Sequence, residues 1–175
     1  AIYYRENNDF SHMDVGISVI VQELIDAKVA GVVFTVHPSS GENNVMIEAG
    51  LGLGESVVSG SITPDTYKVN PEDWSIEDKN ISNQAFKIIR KDNETKEIDL
   101  SEKEGNQQKL PDDDIKKLAK ICKDIEDYYG DPQDIEWAKD KQLYILQSRP
   151  ITTLKEKEEA PKGKITDMEE AEAIV

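Results

Sequence analysis

The chain has 175 residues, 37% hydrophobic and 6% aromatic, enough for one substantial core and too few for several. Its 21 Lys and Arg stand against 36 Asp and Glu, a formal net charge of −15 that repels nucleic-acid backbones and anionic lipid surfaces. No nucleic-acid partner is expected, whereas a nucleotide remains open, because Mg2+, a few placed cations or backbone N–H groups can hold phosphates locally.

The opening Ala1-Ile2-Tyr3-Tyr4-Arg5 has no signal-peptide core, and no apolar run approaches the ~18–20 residues that span a bilayer, so a soluble protein without membrane contact is expected. Patterned sequence starts at once, as if entered partway through an element. Ile17 to Ile25 is β-branched and apolar enough for a buried strand, and Gly31 to Val36 for a second, read as an antiparallel hairpin. After the turn cluster His37 to Asn43 comes a third strand, Asn44 to Ala49, then Gly50-Leu-Gly-Leu-Gly54 and a short helix from Glu55 to Ser59. Short strands at Thr66–Val69, Trp74–Ile76, Ala85–Arg90 and Glu97–Leu100 form a half-exposed antiparallel layer. Asp112 to Tyr129 is the clearest helix: Ile115, Leu118, Ala119, Cys122, Ile125 and Tyr129 fall on one face, three aspartates open it, and Gly130 closes it. Cys122 is the lone cysteine, a buried small hydrophobe in a reducing cytoplasm, with no disulfide and no thiolate metal site. A second hairpin joins Asp134–Ala138 to Gln142–Ser148, and Arg149-Pro150 ends it. From Leu154 the composition turns to Lys, Glu, Ala and Pro, so residues 1–153 are assigned to one domain and 154–175 to a linker or the start of the next.

The C-terminal hairpin carries the best candidate chemistry. Residues two apart in a strand share a face, so Asp134 goes with Glu136, and Gln147 with Arg149. A tight turn centred on Asp140-Lys141 pairs Glu136 with Ile145 and Asp134 with Gln147, bringing all four polar side chains to one face, with Trp137, Tyr144 and Leu146 on the other against the helix. A three-residue loop at Lys139–Lys141 instead sends Gln147 and Arg149 away. Two carboxylates and an amide are hard oxygen ligands suited to Mg2+, and a guanidinium fork matches phosphate. By spacing alone, a solvated face of ordinary charges fits these residues as well as a site does. The glycine run lacks both the last Gly of a dinucleotide fingerprint and the Lys of a P-loop, and reads as a tight strand-to-helix turn. His12 and His37 read as loop histidines.

Taken in order, Val21-Gln-Glu-Leu-Ile25 with Ala30-Gly-Val-Val-Phe-Thr35, Ile47-Glu-Ala-Gly-Leu-Gly-Leu-Gly-Glu55 with Val58-Ser-Gly60 and Pro64-Asp65, and Asp134-Ile-Glu-Trp137 with Leu146-Gln-Ser-Arg-Pro-Ile-Thr152 resemble the ATP-binding domain of the phosphoenolpyruvate synthase (pyruvate, water dikinase) family. That domain is shared with pyruvate phosphate dikinase and rifampicin phosphotransferase. The resemblance implies an α+β fold, the C-terminal part of an ATP-grasp domain with a mostly antiparallel sheet and one long packed helix. It implies that Gln22, Glu23, Leu24 and Ile25 meet adenine, mainly through backbone groups, that Glu136 with Asp134 holds Mg2+, and that Gln147 and Arg149 hold the phosphates of ATP. The family's phosphate-binding Lys and its Ser-x-Arg-Ser segment lie upstream of any residue present, and its phosphohistidine and pyruvate-binding domains are absent too. The implied role is therefore the ATP-binding portion of an enzyme converting ATP, pyruvate and water to AMP, phosphoenolpyruvate and phosphate, inactive alone and completed by those domains or by a separate chain. A related dikinase or rifampicin phosphotransferase, with another acceptor, and a stand-alone non-catalytic nucleotide-binding module are the alternatives.

Overall fold

The computed structural model describes residues 19–92 and 94–151. The 154–175 segment and His12 lie outside them. Among the described residues, eight strands and three helices follow in chain order: β1 Val29–Phe34, β2 Val45–Leu51, α1 Glu55–Val58, β3 Asp65–Val69, β4 Ile76–Asn80, β5 Phe86–Lys91, β6 Glu94–Asp99, α2 Glu102–Gly105, α3 Asp112–Tyr129, β7 Gln133–Lys139 and β8 Leu143–Pro150. Six strands form one antiparallel sheet in the order β4-β3-β2-β1-β7-β8, and β5–β6 is a separate two-stranded sheet. The mixed α+β class with a mostly antiparallel sheet and one long helix is as the sequence implies.

Helix α3 covers one face of the large sheet. Ile115, Leu118, Ala119 and Cys122 are fully buried there against Val33, Ile47, Tyr67, Ile135 and Trp137. Burial pushes the Cys122 thiol up to about 12, which keeps it protonated and inert. The helix ends where the sequence places its ends, with Gly130 in the left-handed region at φ 77°. Two of its opening aspartates do more than complement the dipole: Asp112 pairs with Lys79 on β4 at 2.6 Å and Asp114 with Lys139 on β7, so the first turn is tied to two strands of the sheet. Tyr129, assigned to the buried stripe, is instead 61% exposed, because the stripe runs out beyond Ile125 as the helix leaves the sheet.

Three expectations are corrected. Residues 19–27 form no regular element and pair with no described strand, and Val19, Ile20 and Val21 are 80–92% exposed. The expected first hairpin does not form because β1 already has a partner on each side, β2 and β7, which leaves no edge for this segment. The stretch from Thr66 to Leu100 is not one layer: β3 and β4 extend the main sheet while β5–β6 stands off it. At the predicted strand Trp74–Ile76, Trp74 is a turn residue with φ 61° and β4 starts at Ile76. The short helix α2, with Ser101 and Glu104 capping each other, was not foreseen, although Ser-x-x-Glu is its signature.

Between the two sheets lies a buried polar junction. Asp65 accepts hydrogen bonds from the Tyr67 hydroxyl at 2.8 Å, from the Ser82 and Lys109 amides at 3.0 and 2.9 Å, and forms an ion pair with Lys109 Nζ at 2.8 Å. Lys109 Nζ also donates to the carbonyls of Ser82 and Gly105. Both side chains of the pair are fully buried, and the charges are matched bond for bond, the condition under which such a pair is tolerated. Burial and the neighbouring Asp65 carboxylate raise the Tyr67 phenol well above its usual value.

Candidate nucleotide site

On the face opposite α3, strand register aligns the candidate residues in rows. Glu48 on β2 pairs with Val32 on β1, Val32 with Glu136 on β7, and Glu136 with Gln147 on β8. The next row runs Met46, Phe34, Asp134, Arg149. All four side chains expected together, Asp134, Glu136, Gln147 and Arg149, therefore share one face.

They reach it by a different route from the expected one. The loop is Asp140-Lys141-Gln142, closed by the pair Lys139 with Leu143, not a two-residue turn. Asp-Lys lacks the Asn-Gly or Gly chemistry that two-residue hairpin turns demand. Ala138 consequently pairs with Tyr144 and Trp137 with Ile145. A regular ladder continuing from there would put Gln147 and Arg149 on the helix side. A β-bulge between Glu136 and Trp137, with Leu146 as the surplus residue on β8, shifts the register by one and restores the shared face. The bulge also corrects the assignment of Tyr144 and Leu146. Tyr144 pairs with Ala138, and Leu146 packs with Ala30, Leu53 and Ala138, so both lie on the site side while Leu143 packs toward α3.

Arg149 donates from Nε and Nη2 to Asp134 Oδ2 at 2.9 and 2.7 Å. That hydrogen-bonded carboxylate, with Glu136 nearby, raises the guanidinium above its ordinary value. Arg149 is 65% exposed and Asp134 15%, so the acid is the fixed member and the fork is aimed outward from it. Glu136 and Glu48 have no cation within ion-pair distance among the described residues. Glu48 is raised above the ordinary carboxylate value, first by burial and then by the Asp134 charge. Sequence reading passed over Glu48, although a lone acid in an otherwise apolar strand, out of phase with Ile47 and Ala49, was the available signal.

Two adjoining cavities meet at Glu136. One, of about 210 Å3, is lined by Val32, Phe34, Glu48, Asp134, Glu136 and Arg149. The other, of about 350 Å3, is mainly apolar and brings Gln22, Glu23, Leu24 and Ile25 together with Ala138, Leu146 and Glu136. The four residues of segment 22–25 and Glu136, 111 or more positions apart in sequence, thus share one wall system. Gln147 stands across the ladder from Glu136, exposed on the edge strand.

Within the glycine run Gly52 has a structural task, while Leu53 and Gly54 line the apolar cavity. Gly52 has φ 91° and a Cβ there would lie 2.4 Å from the Ile88 carbonyl oxygen, so it must be glycine for β5 to approach. His37 likewise serves its own turn, its Nδ1 accepting from the Ser39 and Ser40 amides at 3.3 and 3.2 Å. Among the described residues no three His, Cys, Asp or Glu side chains converge tightly enough to cage a metal, and no helix is long and apolar enough to cross a membrane.

A sequence model of the pyruvate phosphate dikinase AMP/ATP-binding domain matches residues 1–170. The chain is 48% identical over 162 residues to a probable phosphoenolpyruvate synthase of Archaeoglobus fulgidus, covering 91% of this chain and 22% of that protein. It is 43% identical over 186 residues to the phosphoenolpyruvate synthase of Pyrococcus furiosus, covering 100% of this chain and 22% of that protein. Against the rifampicin phosphotransferase of Bacillus subtilis it is 44% identical over 160 residues, covering 88% of this chain and 18% of that protein. The chain thus spans about a fifth of the length of these curated relatives. It belongs to the pyruvate phosphate dikinase AMP/ATP-binding domain family.

Proposed function

We propose that this chain is the part of an ATP-grasp domain that holds the base and polyphosphate of Mg-ATP in a phosphoenolpyruvate synthase-type phosphotransferase, working in the cytoplasm. Supporting this reading is one observation above others: the cavity beside Gln22–Ile25 and the cavity beside Asp134 and Arg149 are joined at Glu136. An apolar slot and a charged slot in that order suit a nucleoside followed by its phosphates.

The residues present fit Mg2+ of the kind that keeps waters and takes one or two carboxylates plus substrate phosphates. Glu136, which has no cation within ion-pair distance among the described residues, is the principal ligand, and Glu48 lies along the same row. Bound Mg2+ would supply charge neutralisation across the phosphate oxygens. Asp134 is engaged by Arg149; its second oxygen is left for the metal while the first holds the guanidinium fork in place. Arg149 then neutralises charge on the transferred group, and Gln147 orients a phosphate oxygen or the metal. Gln22, Glu23, Leu24 and Ile25 hold adenine through backbone groups. The acceptor, pyruvate as in the phosphoenolpyruvate synthases or an antibiotic as in the rifampicin enzyme, is chosen by parts of the relatives that this chain does not cover, as are the phosphohistidine carrier and the upstream Lys half of the nucleotide site. Residues 154–175 serve as the connection to the following domain.

Calorimetric titration of the purified chain with ATP, with and without Mg2+, tests the reading. Weak, Mg-dependent binding that Glu136→Gln abolishes without unfolding the chain is the expected result, with no AMP or phosphate released. Mg-ATP affinity unchanged by Glu136→Gln, or steady turnover by the chain alone, contradicts it.

A further inference from the structure

The β5–β6 sheet takes no part in the site described so far, yet one of its residues lines it. Thr95, which pairs with Arg90 across the hairpin, lines the apolar cavity beside segment 22–25, together with Leu53 and Leu146. The hairpin is held in that position at its base. The Leu53 amide donates to the Ile88 carbonyl at 2.8 Å and Gly52 bridges to Ile88 in parallel fashion. The buried Gln84 side chain accepts from the Leu51 amide at 2.8 Å and donates to the carbonyls of Leu51 and Phe86 at 2.9 and 2.8 Å, imitating a strand between the Gly-rich turn and β5. A further tie, Arg90 to Asp26 at 4.0 Å, runs to the residue that follows Ile25.

Leu24, Ile25, Leu53 and Leu146 give the cavity an apolar lining, to which Thr95 adds a hydroxyl that can both donate and accept. A mostly apolar pocket with a few placed polar groups is the general form of a site that fixes the orientation of a small ligand. We propose that β5–β6 is a wall of the nucleoside pocket and that Thr95 is a specificity-determining residue, its hydroxyl hydrogen-bonding a polar edge of the purine or ribose. This inference rests on the base-site reading above.

Two-dimensional 15N NMR of the 175-residue chain, titrated with adenine and with adenosine, tests it, because weak binding still moves signals. Adenosine should shift the amides of Leu24, Ile25 and Thr95 together. Thr95→Val, which keeps the shape and removes the hydroxyl, should weaken adenosine binding about three- to tenfold, and Thr95→Ser should restore it to within about twofold. A loss shared by adenine assigns the contact to the base, and one confined to adenosine assigns it to the ribose; either supports the proposal. Movement at Leu24 and Ile25 with Thr95 static, or wild-type affinity in Thr95→Val, overturns the hairpin's role and leaves the base site standing. Silence at both places up to millimolar ligand overturns the base site and the proposal with it.

Discussion

In hairpin β7–β8, Ile135 and Trp137 are buried against α3 and β7 is hydrogen-bonded on both edges, whereas every residue of β6 is exposed and β5–β6 is a two-stranded sheet joined to the rest by the bridge of Gly52 with Ile88. The first hairpin is positioned by side chains in a core, the second by backbone and amide bonds at its root: Gly52, Leu53, Gln84 and, beneath both legs, Asp65 with Lys109. Core packing fixes a register closely, so charged residues on the reverse face of β7–β8 can be presented with little freedom. Anchoring chiefly at the root, with Ile88 against a small apolar cluster and Arg90 near Asp26, fixes where β5–β6 stands and leaves β6 exposed to meet a ligand.

The contrast is most easily broken at the polar junction. Asp65→Ala strands a buried ammonium, and the expected cost is about 3–5 kcal/mol in urea-monitored unfolding; a loss below 1 kcal/mol would mean that the pair carries little of the structure. Arg149→Ala divides stability from chemistry. In an intact phosphotransferase assembled around this chain it should raise the phosphoryl-transfer barrier by about 3–4 kcal/mol, while unfolding changes by less than about 1 kcal/mol because the pair with Asp134 is at the surface. Gly52→Ala meets the Ile88 carbonyl in a left-handed conformation and should cost about 1–3 kcal/mol, with hydrogen exchange rising first in β5–β6; uniform acceleration across the large sheet would argue against an independently anchored hairpin.

The smallest effect expected is a pH dependence. The folded state raises Glu48 above its ordinary value of 4.5, so between that value and the folded one the native chain binds more protons than the unfolded chain. Stability contributed by this residue is therefore present at low pH and lost as pH rises through that window. Glu48→Gln should flatten the decline and stabilise the chain at neutral pH. Mg2+ should reduce the difference between the two proteins if Glu48 lies beside the metal.

Helix α3 was legible to the residue because its signals are local: a 3.6-residue apolar period, acids at one end, glycine at the other. The strands from Val45 onward, β4 excepted, were legible as elements, but their partners were not, since pairing depends on which edges are already filled. Segment 19–25 shows the failure clearly, with strand-like residues and no ladder. At the site, the shared face of Asp134, Glu136, Gln147 and Arg149 was foreseen from two-residue periodicity, while the loop and the bulge that produce it were not. The sequence around Leu146 contains no glycine or other mark of a bulge. Glu48 left one local mark, a lone acid in an apolar strand, and Thr95 none, because each joins the cavities through contacts distant in sequence.

Leu146 has a consequence for how this segment tolerates changes of length. As the surplus residue, it can be deleted without altering which residues face each other on either side of it: Trp137 keeps Ile145 and Glu136 keeps Gln147. What disappears is the side chain packed with Ala30, Leu53 and Ala138 beside the apolar cavity. One missing codon would thus separate the two halves of the site, sparing the ion pair of Asp134 with Arg149 while opening the nucleoside end. An insertion of one residue elsewhere in β8 beyond the bulge would do the reverse, turning Arg149 to the helix side and leaving Leu146 where it is.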